Sequence, residues 1–355
     1  MLRRLLAIAT LACVIPACLT ACAGRDRDHP PEDRVATPTP APTPDTAGSD
    51  PAASSTPRAT GGPSQGVPAS YLALTALDGR TGEPIAWDDL VARCAAANVV
   101  LIGEEHDLDQ AQQMAADLFA AIVDRRSDAA LSLEFFERDQ QVHLDDYIGG
   151  LTTHEQFVAA TGRRDGNYPD GHRRMIDAAK AAGAPVIAAN APRRYVRLAR
   201  LEGYDRLAKL NPMQRALFVV PRTMPSGRYH DEFIGMMSAM GAHGPDAAGP
   251  QPSEEQRRSA AEATFRSQAM WDATMADSIA TALRDGARPV VHVIGRFHVD
   301  HDGGTVQMLR RQRPSARILT ISCGRGTPTR LSDEDNGRAD VVVYAEEAPQ
   351  AEPAP

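Results

Sequence analysis

The sequence predicts an α/β fold: a mainly parallel sheet flanked by helices, with a helical insertion at about 195–285. Three observations carry this. Short apolar runs, several of them rich in β-branched residues, recur at 99–102, 129–134, 185–190, 289–294, 316–321 and 340–344, as buried strands do. Helical periodicity fills the gaps between the first three, which implies parallel strands joined by right-handed crossovers. Ionisable residues stand directly behind several of these runs, where open parallel sheets place their ligand crevice.

The chain begins with Arg3 and Arg4, an apolar run from Leu5, and Leu19-Thr20-Ala21-Cys22. This is the pattern of a signal peptide over 1–22 ending in a lipobox, with cleavage before Cys22 and acylation of its thiol. Ala23, rather than Asp, follows the cysteine, which points to the outer membrane of a two-membrane host. The expected product is an exported protein, lipid-anchored at the cell envelope. Residues 23–68 are rich in Pro, Thr, Ala, Ser and Gly and cannot bury a core. They read as a disordered tether reaching on the order of 40 Å as coil, and about three times that as polyproline II. Gly62-Pro63-Ser64-Gln65-Gly66 matches a nucleophile elbow in letters only, because both flanks are linker.

The folded domain is expected over 69–345. Residues 87–96 read as a short helix before the first core strand. Val99-Val100-Leu101-Ile102 then runs into Gly103-Glu104-Glu105-His106, and a helix follows with Leu108, Ala111, Ala115, Leu118 and Ile122 on one face. The strand at 129–134 ends in Glu134. Thr153 and Gln156 form a capping-box pair ahead of a helix. A polar loop carries Tyr168, a helix from about 172 stops at Gly183, and the strand at 185–190 ends in Asn190-Ala191-Pro192-Arg193. The insertion contains a methionine-rich stretch, Met236 to Met240, and one long helix from Ser253 to Leu283 with Phe265, Gln268, Asp272, Met275 and Ile279 on one side. Val290-Val291-His292-Val293-Ile294 runs into a second Gly-x-x-His, Gly295-Arg296-Phe297-His298. The tail 346–355 is acidic, Pro-rich and expected to be disordered.

Composition narrows the function. A net charge of −8 speaks against nucleic acid and against a polybasic membrane patch. Outside the signal peptide and Cys22, only Cys94 and Cys323 remain, which make no disulfide framework and match no zinc spacing. Parallel strands gather Glu104, Glu105, His106, Glu134, Asn190, Arg193 and His298 on one rim. His106, His298, Glu134 and Glu104 could hold a divalent metal. His106, Glu134, His298 and Glu105 could equally act as acid, base and their supports without one. Glu105 has a second reading as a carboxylate at the following helix N-terminus. His292 alternates within a strand and reads as core or sheet face. His143, His154, His172 and His301 have no motif and read as surface residues. Tyr168, Tyr195 and Tyr229 are the phenols able to ligate haem iron, and Arg163 and Arg164 beside Tyr168 would favour its phenolate. Asn190 and Arg193 complete the candidate cofactor-binding set, with Arg193 placed to hold an anion.

Gly103-Glu104-Glu105-His106, the segment Leu131-Ser132-Leu133-Glu134-Phe135-Phe136-Glu137-Arg138-Asp139-Gln140, Tyr168, Asn190-Ala191-Pro192-Arg193 and Gly295-Arg296-Phe297-His298, in that order, resemble the ChaN-like lipoproteins. These belong to a wider group with the Tiki proteases and erythromycin-esterase-like enzymes. The resemblance runs from about 95 to 345. It implies a haem-binding lipoprotein linked to haem or iron uptake, with two haems paired across a homodimer through tyrosine ligation, Tyr168 first and Tyr229 second. The Tiki branch implies instead a metal-dependent hydrolase, peptidase- or esterase-like, using the two Gly-x-x-His motifs. The chain departs from the family in lacking tryptophans near Tyr168, and in carrying Arg296-Phe297 where smaller residues are usual.

Overall fold

A computed structural model describes residues 66–164, 167–240 and 252–345. The signal peptide, Cys22, the tether up to residue 65 and the tail 346–355 lie outside the described residues. Seven strands form one sheet: β1 (Leu74–Asp78), β2 (Val99–Glu104), β3 (Ala130–Glu137), β4 (Val186–Asn190), β5 (Val290–Gly295), β6 (Ile318–Arg325) and β7 (Val341–Ala345). Their order is β1-β7-β6-β2-β5-β3-β4. Every neighbouring pair is parallel except β1 with β7. β1 is the strand that the sequence pattern does not announce. Leu-Thr-Ala-Leu-Asp has little β-branched character, and its extension comes from pairing with β7 rather than from local preference.

Side chains alternate across the sheet and feed two apolar layers. Val100, Ile102, Leu131, Leu133, Val291 and Val293 pack on one face with Leu90 of the helix Trp87–Ala96, Phe119 of the helix Asp109–Arg125 and Ile176 of the helix Asp170–Ala182. Val99, Leu101, Val290 and Ile294 pack on the other with Ala276, Ile279 and Leu283 of the helix Glu254–Arg284. The last helix of the insertion is therefore also a covering layer of the sheet. A Ser253–Gln256 capping box starts it, and a Thr153–Gln156 box starts the helix His154–Ala160. Among the described residues, no helix is long and apolar enough to cross a membrane. Cys94 and Cys323 are both buried free thiols.

The Glu137-Arg138-Asp139-Gln140 segment holds these layers together. Gln140 and Glu137 close a capping box on each other. Arg138 donates to Asp277 Oδ2 at 2.8 Å, to Ser278 Oγ and to the Thr274 carbonyl, which ties the end of β3 to the long helix. Gln141 reaches the outer edge of β4: its Nε2 donates to the Val186 carbonyl at 2.8 Å and its Oε1 accepts from the Ala188 amide at 2.7 Å.

Candidate functional site

The chain leaves β2 toward β3, beyond β5, and leaves β5 toward β6, beyond β2, so the connections from the carboxyl ends of these two neighbouring strands run in opposite directions. That is where a doubly wound sheet opens a crevice. β2 delivers Glu104 and His106 to it, β3 delivers Glu134, and the turn after β5 delivers His298. Gly295 lets them meet. A methyl group on Gly295 would lie 3.2 Å from His106 Nε2 and 3.6 Å from Glu134 Oε2. The Gly295 amide donates to Glu134 Oε2 at 2.5 Å, while Glu134 Oε1 lies 3.7 Å from His298 Nε2. His106, Glu134 and His298 thus converge around one glycine.

Each imidazole has its own carboxylate. His298 Nδ1 stands 2.6 Å from Asp272 Oδ1, both residues being buried. Asp272 also accepts from Thr305 Oγ1 at 2.8 Å and from the Tyr229 hydroxyl at 2.7 Å, and Gln268 Nε2 lies 3.1 Å from His298 Nε2. Burial opposes a charge on His298, yet Asp272 and Glu134 outweigh it and raise its pKa. His106, half-buried, pairs with Glu104 Oε1 at 3.3 Å. Its burial is likewise outweighed, by the Glu104 hydrogen bond and the field of Glu134, and its pKa is raised. Glu104 is itself buried and meets His172 Nε2 at 3.0 and 3.1 Å and Gln112 Nε2 at 3.2 Å. Burial alone would raise its pKa; His172 and His106 bring it down to about 2.

The remaining candidates lie elsewhere. Glu105 turns away from the imidazoles to Arg296 at 3.2 Å and Arg325 at 3.1 Å, and it caps no helix; the helix that follows begins at Asp109 behind Leu108. Asn190 accepts from the Ala191 amide, and Arg193 is mostly exposed, 3.8 Å from Glu137. Tyr229 is buried beneath Asp272, and Tyr195 packs on Phe218. Tyr168 sits among Phe136, Phe157 and His154. The arginines were expected to favour its phenolate. Burial, with Asp177 and Tyr147, outweighs Arg163 and Arg173 and pushes the phenol up instead. Met236 and Met237 pack against the Tyr229–Phe233–Phe265 cluster.

The four-residue metal set does not close on one point, because Glu104 turns to His172 and Gln112 while His298 turns to Asp272. Among the described residues, no group of three or more His, Cys, Asp or Glu side chains is arranged to hold a metal ion. His172, expected at the surface, is buried on Glu104, and its signal was absent because its partner lies 68 residues away. Asp272 did carry a signal: one acid within the apolar stripe of the long helix has to find a buried partner. His292 is buried as expected, its Nδ1 2.8 Å from Ser132 Oγ, with burial lowering its pKa to about 3.

A family model described as haem-binding uptake, Tiki superfamily, ChaN matches residues 90–309. No curated protein sequence matches the chain. Among solved structures, one of cofacial heme binding to ChaN of Campylobacter jejuni is similar with a TM-score of 0.55 at 16% identity, covering 76% of this chain and 96% of that one. The type III effector HopBA1 aligns with a TM-score of 0.40 at 17% identity, covering 74% and 93% of the two chains. A mutant of the erythromycin esterase EreC, in its open conformation, aligns with a TM-score of 0.39 at 11% identity, covering 71% and 76%. The family model spans well over half of the sequence, and the α/β sheet has the fold of the Campylobacter protein: the chain belongs to the ChaN family of the Tiki superfamily.

Proposed function

We propose that this protein binds haem at the cell envelope, anchored by lipid on Cys22, in a haem- or iron-uptake role. Family membership supports the ligand, and the observation that carries it to a residue is Tyr168. Its hydroxyl is buried with no hydrogen-bond partner. Aromatic rings surround it, and the Arg163 guanidinium lies 4.4 Å over the Phe136 ring. An unpaired buried phenol in an apolar aromatic setting fits an axial ligand. Ferric haem, when bound, would supply the positive charge that burial denies to a tyrosinate. Tyr229 is the weaker candidate because its hydroxyl is committed to Asp272. Arg193 keeps an exposed guanidinium for a propionate, and Asn190 shapes the turn beside it.

Hemin titration followed by visible absorption tests this reading. The wild type should give a high-spin ferric tyrosinate spectrum, and Tyr168→Phe should abolish it with the fold intact. An unchanged spectrum in both Tyr168→Phe and Tyr229→Phe, or no binding by the wild type, overturns it. Cys22→Ser should move the protein out of the membrane fraction; retention after a salt wash would refute the anchor. Sedimentation with and without hemin tests the homodimer.

A second reading, hydrolysis at the rim, is favoured by one contact. Asp272 on Nδ1 fixes the orientation of His298 and points Nε2 toward Glu134, the arrangement of an oriented acid–base group. Ester and peptide substrates, each with and without chelator, should then show turnover that His298→Ala removes. Turnover that survives in His298→Ala would defeat it.

A further inference from the structure

Of the two imidazoles on the rim, His106 is the one that solvent reaches: its side chain is 32% exposed, against 8% for His298. Its supports are buried behind it. His106 Nδ1 lies 3.3 Å from Glu104 Oε1, and His172 Nε2 meets both oxygens of the same carboxylate, at 3.0 and 3.1 Å. Gln112 Nε2 donates to Glu104 Oε1 at 3.2 Å and to the His106 carbonyl at 2.9 Å. The His172 ring is fixed in turn. It stacks on Phe135, with centroids 3.8 Å apart and planes 26° apart, and Phe135 stands T-shaped against His106 at 5.7 Å. Gly171 lets the helix Asp170–Ala182 come this close: a methyl group there would lie 2.6 Å from Gln112 Cβ and 2.7 Å from its carbonyl carbon.

These contacts fix where the protons sit. His172 Nδ1 is buried without a partner, so a proton there would be an unsatisfied donor costing about 1–3 kcal/mol. The proton belongs on Nε2, where it donates to Glu104. An ionised carboxylate only accepts, so His106 brings its proton on Nδ1, which leaves the lone pair of the neutral ring on Nε2. His106 Nε2 and Glu134 Oε2 flank one side of Gly295, 3.2 and 3.6 Å from where a methyl group would stand.

We propose that His172 is a positioning residue of the rim: by gripping both oxygens of Glu104 it holds His106 as the Nδ1–H tautomer, with the Nε2 lone pair beside Glu134 as a proton acceptor. The chemical use of that acceptor rests on the hydrolytic reading above; the role of His172 in setting the tautomer is tested without turnover. A packing residue would hold the helix in place and leave the proton of His106 alone.

Nitrogen NMR of the histidine side chains in the whole protein, at a pH above the raised pKa of His106, reads the tautomers directly. The wild type should show Nδ1–H on His106 and Nε2–H on His172. His172→Phe keeps a ring against Phe135 and removes the donor, and His172→Met does the same with a flexible side chain where the phenylalanine does not fold. In either, His106 should lose its Nδ1–H signal and gain Nε2–H. His172→Gln returns a donor to Glu104 and should restore the wild-type tautomer. An unchanged His106 tautomer in the donor-free variant means that His172 only packs, and the proposal fails while the hydrolytic reading stands. Nε2–H on His106 in the wild type also overturns it. If the tautomer shifts as expected and the wild type turns over no ester or peptide, the hydrolytic reading falls alone.

Discussion

The two Gly-x-x-His motifs share a spacing and a position at strand ends, yet the fold treats them differently. His106 is half-buried and leans on Glu104, which also serves His172 and Gln112. His298 is buried and leans on Asp272, which is held in turn by Thr305 and Tyr229. The first carboxylate is local, two residues before its histidine. The second comes from a helix of the insertion. A motif can thus fix where an imidazole stands without fixing what makes it useful, and the more enclosed of the two depends on a distant residue.

The largest test of that contrast is Asp272→Ala. It leaves His298, Tyr229 and Thr305 without their buried acceptor, and breaking a buried pair in this way costs about 3–5 kcal/mol. His106→Ala, at a half-buried ring, should cost about 1 kcal/mol. Urea unfolding of both variants checks the ranking; equal losses would mean that the two halves are energetically alike.

The glycines give the next test. A methyl group on Gly103 would lie 2.8 Å from the Arg296 Cα, which is backbone and cannot step aside. Gly103→Ala should destabilise by about 1–3 kcal/mol. On Gly295 the nearest atoms are the His106 ring at 3.2 Å and the Glu134 carboxylate at 3.6 Å, both able to shift. Gly295→Ala should therefore leave the melting curve nearly unchanged while displacing His106, visible as a changed histidine resonance by NMR. A large fall in stability at Gly295 would reverse the comparison.

Proton linkage separates the buried histidines with opposite signs. His298 has a raised pKa, so its stabilisation is complete below the ordinary value near 6.5 and disappears as pH rises through the raised one. His292 has a pKa lowered to about 3, so the stability it protects is present above 6.5 and is lost as pH falls toward 3. Each contributes at most about 1.4 kcal/mol per pH unit. His298→Asn should flatten the alkaline side of a stability–pH curve and His292→Asn the acidic side; the reverse assignment would contradict the pairing described here. Tyr229→Phe tests one support of Asp272 alone. Removing one hydroxyl from Asp272 should cost about 1 kcal/mol by thermal melting, well short of the Asp272→Ala loss.

The apolar runs at 99–102, 129–134, 185–190, 289–294, 316–321 and 340–344 made β2 to β7 legible in place, while the polar ends by which β3 reaches Glu137 and β6 reaches Arg325 were not read as strand. The helices at 87–96 and 254–284 were legible from period and capping residues. β1 was not, since only its antiparallel partner makes it a strand. The convergence of His106, Glu134 and His298 followed from parallel strand direction alone. Their supports did not: Asp272 and His172 come from helices whose placement over the rim is tertiary information. The Glu137-Arg138-Asp139-Gln140 segment carried the family resemblance in the sequence and is a structural tie in the fold, because Arg138 spends its donors on the long helix.

Gln141 bears on what can pair with the open edge of the sheet. β4 is the outermost strand of the sheet on its side, and an open strand edge invites another chain to pair with it. The Gln141 amide occupies the Val186 carbonyl and the Ala188 amide as a neighbouring backbone would. One side chain thus impersonates an eighth strand a single residue long, and a second molecule reaching for that edge would first have to displace it.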